Sequence, residues 1–210
     1  MTIIAFDGKE LVSDSQMTLG DTVCLSPFRK IYTPEDDQYW EINGVKVIAF
    51  GLAGDALAID YVKEKLQEGI SHKTRFEDQD NIAFHALVIN EKGELWTWKV
   101  VKTKERNRDR HELLPMLPPV AIGSGTDFAL GVMAIGKGAR LGVKSACKLD
   151  VGCGGNLQIF EVPPVPAVLS KRPPALETVQ PSAPPAQRTD AEVAPTPHTP
   201  EVAEAPATIH

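Results

Sequence analysis

The residue with the most chemical potential stands at position 2. Thr2 carries a hydroxyl beside its own main-chain nitrogen, and loss of Met1, expected before so small a residue, would turn that nitrogen into a free α-amine. An α-amine titrates near pH ~7.7–8.0, so at neutral pH one residue would supply both a nucleophile and the base that takes its proton. A threonine at position 2 is commonplace, and it gains weight only from its surroundings. Other strings that could do chemistry are weaker. Gly123-Ser124-Gly125 follows a strand-like run but lacks the third glycine of a dinucleotide loop, and Gly136-Lys137-Gly138 follows a helix rather than a strand. GxSxG, HExxH and Walker A strings are absent. Cys24, Cys147 and Cys153 form no CxxC pair and the five histidines are scattered, which supports neither a disulfide frame nor a structural zinc site. Reduced thiols fit a cytosol.

The composition divides the chain in two. Residues 163–210 hold twelve of the seventeen prolines and no glycine, aromatic residue or cysteine, so they cannot bury enough apolar surface to offset the entropy of ordering. They read as a disordered Pro/Ala-rich tail, a semi-extended linker or partner-binding arm. Residues 1–162 have the length of one domain and all the aromatic residues. The net charge of −6 is spread over both parts, which makes nucleic acid an unlikely partner. The apolar runs fall well short of the ~20 residues of a membrane helix, and Met1 leads straight into a strand-like run without a signal peptide, so a cytoplasmic protein with no membrane partner is expected.

The elements that must hold Thr2 begin at once. Thr2–Phe6 is an apolar β-rich run, Asp7-Gly8 a turn signal and Glu10–Ser13 a second strand, so the N-terminus is built into a hairpin. Thr22–Leu25 and Arg29–Tyr32 read as short strand pieces, and Val45–Phe50 as a buried strand ending at Gly51. Leu57–Glu68 has the helical period and stops at Gly69. Ala83–Ile89 and Glu94–Val100 form a hairpin around Asn90–Gly93, followed by the charged stretch Lys102–Glu112, read as a solvated connector. Val120–Ile122 is a strand, Thr126 an N-cap, Asp127–Ala134 and Val143–Leu149 helices, Gly152–Gly155 a tight turn and Leu157–Val162 the last strand. Strands, helix, strands, helices and strand make an α+β layered domain rather than a regular βαβ sheet.

In this order the motifs resemble those of the proteasome β-subunit family, including the bacterial HslV type, among the N-terminal nucleophile hydrolases. The resemblance spans most of residues 2–162. It rests on Thr2-Ile3-Ile4, the loop Asp14-Ser15-Gln16-Met17-Thr18-Leu19-Gly20-Asp21-Thr22-Val23, Arg29-Lys30-Ile31, Ala49-Phe50-Gly51-Leu52-Ala53-Gly54, Gly123-Ser124-Gly125 with Phe128–Val132, and Asp150-Val151-Gly152-Cys153-Gly154-Gly155. Each string alone is weak; together and in order they are specific.

The resemblance implies a four-layer αββα fold of two antiparallel sheets between helical layers. It also implies Thr2 as nucleophile with Asp14 and Lys30 behind it, an ammonium at Lys30 lowering the pKa of the Thr2 amine and Asp14 holding that ammonium in place. Gly54 matches the oxyanion donor, and Ser124, Asp150 and Cys153 match the shell around the terminal amine, Cys153 standing where the family usually has serine. Thr18 matches a residue whose backbone pairs with bound substrate, while Phe28 and Leu52 fall where the first specificity pocket is lined, which favours an apolar residue before the cleaved bond. No metal or cofactor is required. The implied activity is that of a threonine peptidase acting on peptides or unfolded proteins, in a homo-oligomer. Between Gly69 and Ile82 stand about a dozen mostly polar residues where the family places a second long helix. That thins one helical layer and bears against a standard double ring and against pairing with an unfoldase ATPase. The alternative is a non-catalytic structural or assembly subunit of the same fold, in a virus particle or scaffold, docking by its proline-rich arm; an amidohydrolase acting on small amides is a third.

Overall fold

Ile3, Ile4, Ala5 and Phe6 are all fully buried, so the strand they form has to lie between layers rather than on a surface. The computed structural model of the chain describes residues 2–20, 22–76, 82–103 and 108–164. The first half holds β1 (Ile3–Phe6), β2 (Glu10–Ser13), β3 (Met17–Leu19), β4 (Thr22–Cys24), β5 (Ile31–Tyr32), β6 (Glu41–Ile42), β7 (Val45–Gly54) and α1 (Ala58–Glu68). The second holds β8 (Phe84–Asn90), β9 (Leu95–Thr103), β10 (Arg108–Met116), β11 (Val120–Gly123), α2 (Thr126–Ala134), α3 (Ala139–Leu149) and β12 (Gln158–Glu161). All of the expected tail beyond Pro164 lies outside the described residues, as does part of the run between Gly69 and Ile82.

The chain is an α+β protein whose strands pair antiparallel. One sheet has the order β11-β1-β2-β12 and the larger one β10-β9-β8-β7-β5, with β6 also on β7; β3 and β4 form a separate hairpin. Alternation along β1 explains how the sheets stack. Ile4 and Phe6 join Leu11, Val120 and Ile122 against Ala49, Ala53, Leu87 and Ile89 of the larger sheet. On the opposite face of β1, Ile3 and Ala5 pack with Val12 against Ala129 and Met133 of α2 and Ala139, Val143 and Ala146 of α3. The outer face of the larger sheet carries Phe50, Leu52, Ala86, Val88 and Trp98 against Ala58, Tyr61, Val62 and Leu66 of α1. Gly51 sits at a close approach of the two sheets, since a Cβ there would come within 2.9 Å of Ile4 Cγ2.

Several boundaries differ from the sequence reading. The strand expected to end at Gly51 continues to Gly54, because both sides of it are covered and a bulge between Val47 and Ala49 resets its faces. Of the stretch Lys102–Glu112, expected as a connector, residues 102–103 end β9 and residues 108–112 begin β10, whose pairing runs from Arg108↔Thr103 to Met116↔Leu95. β10 is an edge strand of its sheet. Gly125 rather than Thr126 is the N-cap of α2, while the Thr126 hydroxyl donates to Gly123 O at 2.6 Å. α3 begins at Ala139, four residues before its expected start. No helix among the described residues is long and apolar enough to cross a membrane.

One half-buried titratable group ties this fold to pH. His85, opposite Lys99 across the β8–β9 pair, hydrogen-bonds Thr97 Oγ1, and burial first, then the Lys99 charge, pushes its pKa down to about 4. A histidine depressed in the folded state contributes stability that is present above its unfolded pKa of ~6.5 and is lost as pH falls toward the folded value. Chemical denaturation should therefore show stability declining from about pH 6.5 to about 4, with the decline flattened in His85→Gln.

Candidate active site

The β1–β2 hairpin places Thr2 and Asp14 side by side, Thr2 just before β1 and Asp14 just after β2, and the Asp14 N–H donates to Ile3 O at 3.2 Å. Thr2 is 6% exposed and Asp14 fully buried. The Asp14 carboxylate collects five donors. Oδ1 accepts from Lys30 Nζ at 2.6 Å, from the Ile3 N–H at 3.0 Å and from Thr2 Oγ1 at 3.3 Å. Oδ2 accepts from the Gly154 N–H at 3.0 Å and the Gln16 N–H at 3.2 Å. That number of donors, one of them charged, is what lets an ionised carboxylate sit away from water. Burial draws the Lys30 ammonium below the usual lysine value, while its hydrogen bond to Asp14 and that residue's charge pull it back up. The Thr2 hydroxyl and the Lys30 ammonium thus meet on a single carboxylate oxygen.

The main-chain nitrogen of Thr2 faces a second cluster. Its N–H donates to Ser124 Oγ at 3.3 Å, and Ser124 Oγ lies 3.7 Å from Cys153 Sγ. The Cys153 thiol donates to Asp150 Oδ2 at 3.2 Å. The Ser124 hydroxyl and the Gly152 N–H hold the Asp150 carboxyl below its ordinary value. Burial, then the Asp150 contact, pushes Cys153 up to about 12, so it stays a thiol and serves as a weak donor rather than a nucleophile. Gly123 lets this cluster close around Thr2. Its φ is +103°, and a Cβ there would lie 2.1 Å from Thr2 O.

A cavity of about 470 Å³ opens above Thr2, Lys30 and Ser124. Gly54 lies on its wall with φ +124°, a conformation that glycine adopts freely, and a Cβ there would come within 2.5 Å of Ala83 O. Thr18, Phe28 and Leu52 line the same cavity. Of the ten residues singled out in the sequence, seven therefore line one cavity: Thr2, Lys30, Gly54, Ser124, Thr18, Phe28 and Leu52. Asp14 is joined to Thr2 and Lys30 without itself lining the cavity, and Cys153 joins Asp150 to Ser124. Sequence reasoning missed Gln158 of β12, whose side-chain amide bonds to the backbone around Lys30, and Gln16, whose side chain donates to Val151 O at 3.1 Å and lines the cavity. The one signal for Gln158 was a polar residue between the apolar Leu157 and Ile159.

Two antiparallel sheets thus stack through an apolar core, with a threonine, a lysine and a carboxylate converging at the start of the first strand. Among solved structures the chain is similar to Thiobacillus denitrificans BPH, at TM-score 0.51 and 17% identity, over 78% of this chain and 100% of that one. Thiobacillus denitrificans BPH in complex with Epoxomicin matches with the same identity and coverage at TM-score 0.50. At this identity the likeness speaks for the fold. No protein-family model and no curated protein matches the chain.

Proposed function

We propose that the protein is a threonine-type N-terminal nucleophile peptidase similar to the proteasome β-subunit and HslV family, working from Thr2 after Met1 is removed. The observation that carries this reading is the meeting of Thr2 Oγ1 and Lys30 Nζ on Asp14 Oδ1 beside a cavity. The stack of α2 and α3, two sheets and α1 is then the four-layer αββα sandwich, with α1 as a thinned outer layer. Further support comes from the fold's likeness to a BPH structure that holds Epoxomicin, a proteasome inhibitor.

In the reaction, Thr2 Oγ1 adds to the peptide carbonyl carbon while the Thr2 α-amine takes the hydroxyl proton. The charged Lys30 disfavours a second positive charge nearby, which keeps that amine unprotonated at neutral pH. The Gly54 N–H receives the developing oxyanion. The carbon–nitrogen bond breaks, the proton passes to the leaving amine, and an ester remains on Thr2. Water, deprotonated by the same α-amine, then cleaves the ester and restores the hydroxyl. Phe28 and Leu52 favour an apolar residue before the cleaved bond. The substrates are peptides or unfolded proteins, met in the cytoplasm by a homo-oligomer.

Fluorogenic peptide amides with leucine, alanine or lysine before the bond test this reading. Turnover is expected with leucine ahead of lysine, and a peptide boronate should abolish it at one equivalent per chain. Absence of turnover across the panel, with no boronate binding, would favour the non-catalytic subunit instead.

A further inference from the structure

Residues 27–30 run outside any strand, so no sheet ladder satisfies their backbone, yet this segment presents both Phe28 and Lys30 to the cavity. Its polar groups are fixed one at a time. The Phe28 N–H donates to Ser15 O at 2.9 Å, and Lys30 O accepts from the Leu52 N–H at 3.0 Å. Arg29 O accepts from the Tyr32 hydroxyl, and three further groups are held by one side chain from the far end of the domain. Gln158 Oε1 accepts from the Lys30 N–H at 2.8 Å and the Ile31 N–H at 3.3 Å, while its Nε2 donates to Phe28 O at 2.6 Å. A side-chain amide accepts at one end and donates at the other without charge. Here it imitates the edge of a neighbouring strand. Gln158 itself is anchored by β12, which pairs with β2 in the register Gln158↔Ser13, one residue before Asp14.

We propose that Gln158 is a positioning residue that sets, through one amide, both the lysine beside the nucleophile and the phenylalanine of the specificity pocket. The inference rests on the peptidase reading and goes beyond it in assigning a function to β12. Its consequence is coupling. Loosening the clamp shifts Lys30 relative to Asp14 and Phe28 relative to the substrate together, so catalytic rate and preference for the residue before the bond change in one variant. A side chain that merely filled space would move neither, provided the fold remained intact.

The test uses the full chain and a peptide epoxyketone with leucine next to its ketone, following the rate of adduct formation on Thr2 by intact mass. Gln158→Met keeps length and apolar packing but makes none of the three hydrogen bonds. It is expected to slow adduct formation by at least about tenfold, and to narrow the rate difference between leucine and alanine probes, at a melting temperature within a few degrees of wild type. Gln158→Glu keeps an oxygen for the Lys30 and Ile31 N–H groups but, while ionised, replaces the donor to Phe28 O by a second oxygen that repels that carbonyl. Its rate deficit relative to wild type should shrink as pH is lowered, because a protonated carboxyl regains that donor. Should the methionine variant fail to fold, the pH dependence of the glutamate variant decides the matter alone. Wild-type rates and selectivity in folded Gln158→Met, or a pH-independent deficit in Gln158→Glu, would overturn the clamp while leaving the peptidase reading intact. A wild-type chain that takes no adduct overturns both.

Discussion

Thr2→Val lowers peptide hydrolysis by about four orders of magnitude or more while leaving the fold in place. Valine keeps the β-branched shape at a position only 6% exposed and loses the 3.3 Å contact from Thr2 Oγ1 to Asp14. A hydrogen bond to a charged acceptor contributes about 1.5–3 kcal/mol, so the melting temperature should drop by up to about ten degrees. The hydroxyl, by contrast, is the atom that forms the acyl bond, and the rest of the site can supply only binding and oxyanion stabilisation without it. Thr2→Ser, which restores a hydroxyl beside the same amine, should retain measurable turnover. Steady-state kinetics with the leucine peptide, paired with thermal denaturation, check both halves of the expectation.

The second large effect lies in the pair beneath the nucleophile. Asp14→Ala should cost about 3–5 kcal/mol of stability, because it leaves the Lys30 ammonium buried with its carboxylate removed. The Gly154 and Gln16 N–H groups lose their acceptor in the same substitution, which adds to the loss. The double variant Asp14→Leu/Lys30→Met removes both charges and fills the space with apolar atoms, so the part of the loss due to the unpaired ammonium should return, while the N–H groups of Ile3, Gln16 and Gly154 still lack their acceptor. Activity should not return, since the amine of Thr2 then lacks the neighbouring positive charge that keeps it unprotonated. Urea denaturation alongside kinetics separates the two contributions. A double variant that recovers activity together with stability would show that the ion pair serves the fold alone.

What the sequence disclosed about this arrangement depended on the range over which each signal acts. The β1–β2 hairpin was legible because its turn signal and its apolar alternation both lie within a dozen residues. The convergence of Lys30 and Ser124 on Thr2 was not written in any local pattern; only the order of weak strings along the chain pointed to it. The end of β7 was misplaced because a glycine inside a strand looks like a stop, whereas Gly51 is there to let Ile4 approach. The β9–β10 hairpin was hidden since an edge strand tolerates the same charges as a loop. Gln158 acts on backbone atoms 128 residues away, and recognition of backbone leaves no trace in the identity of the residues recognised.

The claim on which the rest depends is that the working chain starts at Thr2 with its amine and hydroxyl acting together. Treating the protein with a peptide epoxyketone and mapping its N-terminal peptide by mass spectrometry tests it most directly, because the ketone carbon suits the hydroxyl and the adjacent epoxide carbon suits the amine. The expected result is a peptide that begins at Thr2, carries one inhibitor and no longer reacts with amine-labelling reagents. An unreacted peptide that still begins with Met1, after prolonged exposure at neutral pH, would contradict the account.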